Sequence, residues 1–378
     1  MFDVYITKTA KYLPNDPISN EEMEDYLGYI NDRASKAKNI VLRNNGIKTR
    51  YFALDKQGLP THNNAELTYM AISQLYDKNF TKHELELLSC GTSTPDVFLP
   101  SHAAMVHGLM DNRPVELNSS TGVCCSGMNA LKFGFLSVKS GSTQNAVCTG
   151  SERVSSWLVA NKFDPEASFL ERLENSPIVG LNKEFLRWML SDGAGAFLLQ
   201  NHVAKEGISL KINWMDAYSF AHEIETCMYA GGEKNEDGSI ISWSDLTPEE
   251  WSNQSIFAIK QDIKVLDKHI TLKGAESLAN TIQKHQINVD EIDYFLPHVS
   301  SQFFVQKLYD SMAERGIHIP LEKWFLNLDR VGNVGSASIY LSLDELVTSG
   351  TLKPGNKILL AVPESGRFSY AYAYLTVH

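Results

Sequence analysis

Two adjacent thiols set the first question. Cys124 and Cys125 lie in the run Thr-Gly-Val-Cys-Cys-Ser-Gly-Met at 121–128. A cysteine attacks through its thiolate, and the amino end of a helix favours that anion. The run reads as a sharp turn of small residues feeding a helix over 126–138, with Met128, Leu131, Phe135 and Leu136 near one face. Cys125 then stands at the helix entrance and Cys124 points into the core. By residue type alone either cysteine could equally be an ordinary buried small residue. The chemistry open to a thiolate at such a turn is attack on an acyl group to give a covalent acyl-enzyme.

Two polar residues in the second half could serve the same chemistry. His298 follows Pro297 at the end of an apolar strand expected over 292–296. Strand ends are where α/β proteins collect functional groups. Asn333 sits in Asp-Arg-Val-Gly-Asn-Val-Gly-Ser-Ala-Ser at 329–338. Taken singly, His298 reads equally well as a satisfied surface histidine, and Asn333 as a turn asparagine. Other motifs fail. There is no G-x-S-x-G elbow and no Walker A loop. His222-Glu223 begins a zinc motif, but Thr226 stands where the second histidine is needed. The Gly-rich run at 192–196 lacks dinucleotide spacing.

These residues need a scaffold. The alternation of apolar runs with helical patterns indicates an α/β protein. Strands are expected at 84–90, at 115–118 as a short buried strand, and at 145–150. In the second half they are expected at 292–296, 357–363 and 370–377, with a helix over 302–315. The polar stretch 219–255 carries turn signals at Gly231-Gly232 and Asp237-Gly238 and reads as an insertion or flexible cap. A division near residue 205 gives an N-terminal half over 1–205 with the cysteine and a C-terminal half over 206–378 with the histidine and asparagine.

Composition narrows the class. With 378 residues, 43% hydrophobic and 21% charged, the chain can bury a large core and suits two domains or one duplicated unit. The net charge of −11 argues against general nucleic-acid binding. Arg33, Lys36, Lys38, Arg43, Lys48 and Arg50 are dense by contrast. They read either as a solvated face or as a dock for an acidic partner or phosphate. No run approaches the roughly 18–20 apolar residues of a membrane span, and the opening residues lack signal-peptide features. The expected location is the cytoplasm. Five cysteines with no framework spacing fit a reducing compartment.

Taken in order, the motifs resemble the β-ketoacyl-acyl-carrier-protein synthase III family over nearly the whole chain. Tyr-Leu-Pro at 12–14 and Gly-Ile-Lys-Thr-Arg at 46–50 look like its opening, and Leu99-Pro100-Ser101 like its dimer-interface loop. Cys125-Ser126-Gly127 matches the nucleophile turn, and Ser191-Asp192-Gly193-Ala194-Gly195-Ala196 a Gly-rich segment that differs at its first residue. Pro297-His298 matches the catalytic histidine. Asp329-Arg330 through Asn333, Ser336-Ala337-Ser338 and Leu343-Asp344-Glu345 match the asparagine loop and its helix.

The resemblance implies a thiolase fold, a duplicated, layered α-β-α-β-α architecture, and a Cys125–His298–Asn333 triad. Cys125 would hold the acyl group, with its own N–H and that of Gly366 as oxyanion hole. His298 and Asn333 would stabilise the enolate of the second thioester, with no cofactor or metal. The partners implied are a second copy of the chain, whose acyl pocket Leu99 would line, and acyl-carrier-protein or coenzyme A thioesters. Three departures point away from plain fatty-acid initiation. Ser365-Gly366-Arg367 replaces three glycines, Val299-Ser300-Ser301 replaces Gln-Ala-Asn, and no tryptophan stands in 33–45. The turn at 122–128, Gly150-Ser151-Glu152-Arg153 and Glu364-Ser365-Gly366-Arg367 resemble a narrower branch that makes dialkylresorcinol and cyclohexanedione precursors, including those of flexirubin-type pigments. That likeness implies joining and cyclising two β-ketoacyl thioesters, with Glu152 and Arg367 as added acid–base or charge-stabilising groups. The alternatives are decarboxylative condensation with malonyl-carrier protein, acyl transfer to oxygen or nitrogen, and an inactive partner subunit of a heterodimer.

Overall fold

Runs buried on both faces and runs buried on one face produce two kinds of strand in the computed structural model, which describes residues 1–172 and 181–378. One mixed sheet contains β1 (Tyr5–Tyr12), β2 (Leu87–Thr92), β3 (Glu116–Thr121), β4 (Asn145–Glu152), β5 (Gly193–Gln200), β6 (Leu210–Ser219), β7 (Tyr294–Pro297), β8 (Lys357–Glu364) and β9 (Ser369–Val377). Their order across the sheet is β7-β8-β9-β6-β1-β5-β4-β2-β3. β2 runs parallel to β3 and β4, and β7 parallel to β8; the other neighbours are antiparallel. The two halves therefore repeat one plan. β1-β5-β4-β2 and β6-β9-β8-β7 each step antiparallel, antiparallel, parallel, and they meet where β1 pairs with β6. Residues 205 and 206 lie in the connection between β5 and β6.

Five helices follow the same repeat: α1 (Asn64–Ser73), α2 (Cys125–Ser140), α3 (Ile263–His285), α4 (Phe303–Ala313) and α5 (Ser338–Thr348). α2 precedes β4 as α5 precedes β8. α2 packs on β2, β3 and β4 and also on β8 and β9, while α5 packs on β1 and β5 and also on β7. These two helices form the central layer. α1 covers β1, β4 and β5 on one outside, and α3, backed by α4, covers β8 and β9 on the other. The result is the expected layering. Helix α2 owes its place to Met128, Leu131, Phe135 and Val138, all buried on one stripe. Each is worth roughly 1.5–3 kcal/mol against exposure. It ends at Gly141, whose φ of 83° is the left-handed cap that glycine accepts without strain.

The structure corrects three expectations. The run at 84–90 divides, because Lys82–Glu84 forms a single 3₁₀ turn and β2 starts only at Leu87. The strand expected to be buried at 115–118 is β3, an edge strand with one neighbour, and Glu116 and Leu117 are exposed. The 219–255 stretch is ordered rather than a flexible cap. Gly232–Lys234 and Ile240–Ser242 pair in a hairpin, and Pro248–Asn253 is a helix with a Thr247/Glu250 capping box. Trp243, Trp251 and Phe257 pack edge to face or tilted behind it, and Phe98 stacks on Trp243.

One contact joins the halves at the level of backbone. A β-carbon on Gly127 of α2 would come 2.3 Å from the Ser336 carbonyl oxygen, and one on Gly150 of β4 would meet the same oxygen at 2.3 Å. Tyr340 of α5 locks the approach by donating its hydroxyl to the Gly127 carbonyl at 2.8 Å and stacking on Phe197. Gly127→Ala should push residues 333–338 off the helix end. We expect a loss of about 1–3 kcal/mol in urea unfolding.

Candidate active site

The amino end of α2 carries the candidate nucleophile. Its cap residue is Cys124, whose side chain caps nothing, so the first N–H groups must find acceptors elsewhere. Glu364, the last residue of β8, supplies one. Its Oε2 accepts from the Cys125 N–H at 2.9 Å and from the Val123 N–H at 3.0 Å. The Cys125 thiol donates to the Val362 carbonyl at 3.2 Å. Both cysteines are buried in the same core cluster, Cys124 at 7% exposed and Cys125 at 2%. Burial first, and then the negative charge of Glu364, push the Cys125 thiol well above its ordinary value. At neutral pH Cys125 is therefore held as a thiol.

His298 is anchored to the same strand, β8, one residue earlier. It ends the extension of β7, and its N–H donates to the Ala361 carbonyl at 2.8 Å. Ala361 and Val362 are consecutive, so one strand anchors both the histidine and the thiol. Burial pushes the imidazole down to about 4, which keeps it neutral at ordinary pH. Its Nε2 is buried without a hydrogen-bond partner among the described residues. The ring borders an apolar cavity of about 50 Å³ between α3, α4 and the sheet, walled by Phe295, Phe304, Leu278 and Tyr370. On its other side lies a cleft of about 20 Å³ shared with Leu326, Gly332 and Ser338. That cleft puts His298 beside the loop of Asn333.

Asn333 is buried and fixed at both main-chain ends. Its N–H donates to the Met189 carbonyl at 3.1 Å and its carbonyl accepts from the Ser191 N–H at 2.9 Å. Its Oδ1 accepts from the Gly335 N–H at 3.0 Å. That bond assigns the amide orientation, so the side-chain NH₂ is the group left to donate. The Gly-rich segment after Ser191 thus serves the loop: Asp192 accepts from Ala53 and Ser155 N–H groups at 2.7 and 2.9 Å and holds the neighbouring chains together.

Glu152 has a different position from the one its sequence suggests. It is fully buried, and its carboxylate accepts from the Ser336 N–H at 3.1 Å, the Ser93 N–H at 3.2 Å and the Thr94 hydroxyl at 2.8 Å. Those bonds pin the 333–338 loop to the loop after β2. Burial pushes the carboxyl up while the same bonds pull it down. Arg367 does not orient it: this arginine is exposed, and its Nε donates to the Ile224 carbonyl at 3.1 Å. Gly366 lies beside Glu364, and its carbonyl accepts from Cys227 and Met228 N–H groups at 3.0 and 3.2 Å. Leu99 projects from the surface, 86% exposed. The residue that sequence reasoning left without a role is Glu364. The available signal was an acid ending the apolar strand at 357–363, immediately before the turn that departs from three glycines.

Comparison with known proteins agrees with this geometry. Residues 282–374 match the family of 3-oxoacyl-[acyl-carrier-protein] synthase III C-terminal domains. A β-ketoacyl-[acyl-carrier-protein] synthase III of Limosilactobacillus reuteri is 24% identical over 362 residues, covering 96% of this chain and 95% of its own. Among solved structures, a tetronic acid condensing enzyme superposes with a TM-score of 0.74 at 20% identity, covering 99% of each chain. Xanthomonas campestris OleA, solved with bound lauric acid and lauroyl-CoA, gives 0.74 at 17% identity over 100% of each chain. The fold is the thiolase fold, and the chain is similar over nearly its whole length to enzymes named β-ketoacyl-[acyl-carrier-protein] synthase III. No helix among the described residues is long and apolar enough to cross a membrane.

The buried imidazole has a consequence for stability. Its folded value of about 4 lies below the unfolded 6.5. Above pH 6.5 neither state is protonated there and no penalty arises. As pH falls from 6.5 to 4 only the unfolded state takes the proton, so stability is lost through that window, on the order of 3 kcal/mol in all. His298→Asn should flatten the difference in unfolding free energy between pH 7 and pH 4 by about that amount.

Proposed function

We propose that this enzyme joins two β-ketoacyl thioesters through an acyl group on Cys125 and closes the product to a cyclohexanedione-type ring, a dialkylresorcinol precursor. The observation that carries the reading is the pairing of a buried thiol at a helix entrance with a neutral His298 whose Nε2 has no partner among the described residues. Such a site offers an electrophile-binding nucleophile and uncharged donors for an enolate. OleA with lauroyl-CoA and the tetronic acid condensing enzyme give precedent, on this fold, for acyl thioesters and for condensing enzymes outside fatty-acid initiation.

The chemistry runs in two stages. Cys125 exchanges with an acyl thioester: the carbon–sulfur bond to Cys125 forms, the one to the carrier breaks, and the thiol proton ends on the departing sulfur. The second β-ketoacyl thioester then enters with its thioester oxygen toward His298 Nε2 and the Asn333 NH₂. Two carbonyls already acidify its C2, so a carbanion forms without loss of carbon dioxide. The C2 proton passes to water, the carbanion attacks the acyl carbon to form the new carbon–carbon bond, and the expelled Cys125 thiolate takes a proton back from water. A further carbon–carbon bond closes the ring by aldol addition within the product, the attacking carbon's proton ending on the keto oxygen it attacks. Arg367 is assigned to the rim, as a positive charge for the later enolate. Glu152 is assigned to loop positioning, since its oxygens are occupied by the Ser93, Thr94 and Ser336 groups.

A second reading keeps the same residues but uses malonyl-carrier protein with decarboxylation. The curated relatives named β-ketoacyl-[acyl-carrier-protein] synthase III favour it. The two separate by product. Purified enzyme given paired β-ketoacyl thioesters should release a cyclic dione by mass, and His298→Ala or Asn333→Ala should cut product at least ~100-fold while still loading the first acyl group. A linear β-ketoacyl product formed only with malonyl-carrier protein selects the second reading.

We also propose a two-fold dimer, the commonest oligomer. Among the described residues β3 has one edge without a neighbour, and Val97, Phe98 and Leu99 are exposed in the loop that follows β2. Unprotected edges and apolar tips of this kind are normally covered. Light scattering at micromolar concentration should give twice the mass of 42.3 kDa; a stable monomer counts against the assignment.

A further inference from the structure

Glu364 occupies the place where an acyl oxygen should sit. A thioester attacked by Cys125 needs the Cys125 N–H for its carbonyl oxygen, yet that N–H is held at 2.9 Å by Glu364 Oε2, which also takes the Val123 N–H at 3.0 Å. The carboxylate lies between two glycines. A β-carbon on Gly122 would come within 3.4 Å of Oε2, and one on Gly366 within 3.5 Å of Oε1. The space between the Cys125 amide and Gly366 is therefore filled by the protein's own oxygens.

We propose that Glu364 is a positioning residue that plugs the Cys125 amide pocket and holds Cys125 as a thiol until a thioester displaces it. This rests on Cys125 being the acylated residue. Among the described residues the plug is held by two neutral amides, so an incoming carbonyl oxygen can replace it one bond for one bond. The titratable groups that face it are few. Cys124 and Cys125 lie on the turn and α2, with Glu152 also acting on Cys124. Tyr370 and Tyr372 of β9 lie near the Cys125 thiol. His298 is neutral. Glu364 is thus the negative charge that most opposes a thiolate on Cys125, second only to burial. Burial in turn raises the Glu364 carboxyl, which weakens the plug's hold on its charge.

The test separates charge from structure. In a Cys124→Ala background, iodoacetamide alkylation of Cys125 is followed against pH by peptide mass for the parent and for Glu364→Gln. Glutamine keeps an acceptor for both amides but removes the charge. The midpoint for Cys125 should fall by about one pH unit, with alkylation about tenfold faster at a fixed pH below both midpoints. A midpoint that stays or rises overturns the proposal, because a merely structural role leaves the thiol's titration unmoved. Should the variant fold poorly, the unmutated enzyme decides. In a crystal of enzyme acylated on Cys125, the acyl oxygen should accept the Cys125 N–H and Glu364 should have left it. Glu364 still bound there, with the acyl oxygen elsewhere, overturns the plug. Failure to form any adduct on Cys125 instead overturns the underlying assignment of the nucleophile.

Discussion

Everything in this site depends on how closely residues 333–338 lie on the amino end of α2 and on β4. The approach is so near that neither Gly127 nor Gly150 could carry a β-carbon. Backbone packing at that distance fixes position better than side-chain contacts do, because a carbonyl cannot change rotamer. Glu152 completes the clamp by accepting from Ser336 on one side and from Ser93 and Thr94 on the other. Cys125, proposed as the nucleophile, belongs to the first half, and His298 and Asn333, proposed as the donors, to the second. Helices α2 and α5, one from each half, share the central layer.

The electrostatics of the pocket follow from the same burial. It raises the thiol, lowers the imidazole and raises the Glu364 carboxyl, so each buried group is biased against its charged form. Hydrogen bonds from the Val123 and Cys125 N–H groups are what favour charge on Glu364. A low-dielectric site of this kind suits an enolate, which gains more from two uncharged donors there than in water.

Much of the scaffold was legible because it rests on local pattern. The strand–turn–helix around Cys125 and the late strands at 357–363 and 370–377 come from apolar runs bounded by glycine and proline, and they lie close to where the strands and helix form. Cys125, His298 and Asn333 could be singled out by their small-residue loops, but residue type alone left each open to an ordinary structural reading, and their grouping came from the resemblance to the synthase III family. What could not be read was decided across the chain. β3 is exposed because of how many neighbours it has, which its own residues do not specify. Glu152 next to Arg153 looks like an acid–base group, but its partner Ser336 lies 184 residues away. Glu364 meets the Cys125 amide across 239 residues. Local pattern carries no sign of either contact.

The central claim is that Cys125, and not the buried Cys124 beside it, carries the acyl group. The direct measurement is intact-protein and peptide mass spectrometry after incubation with an acyl thioester. The account predicts one acyl adduct on the native chain, retained in Cys124→Ala and lost in Cys125→Ala. An adduct that survives Cys125→Ala and disappears in Cys124→Ala would contradict it.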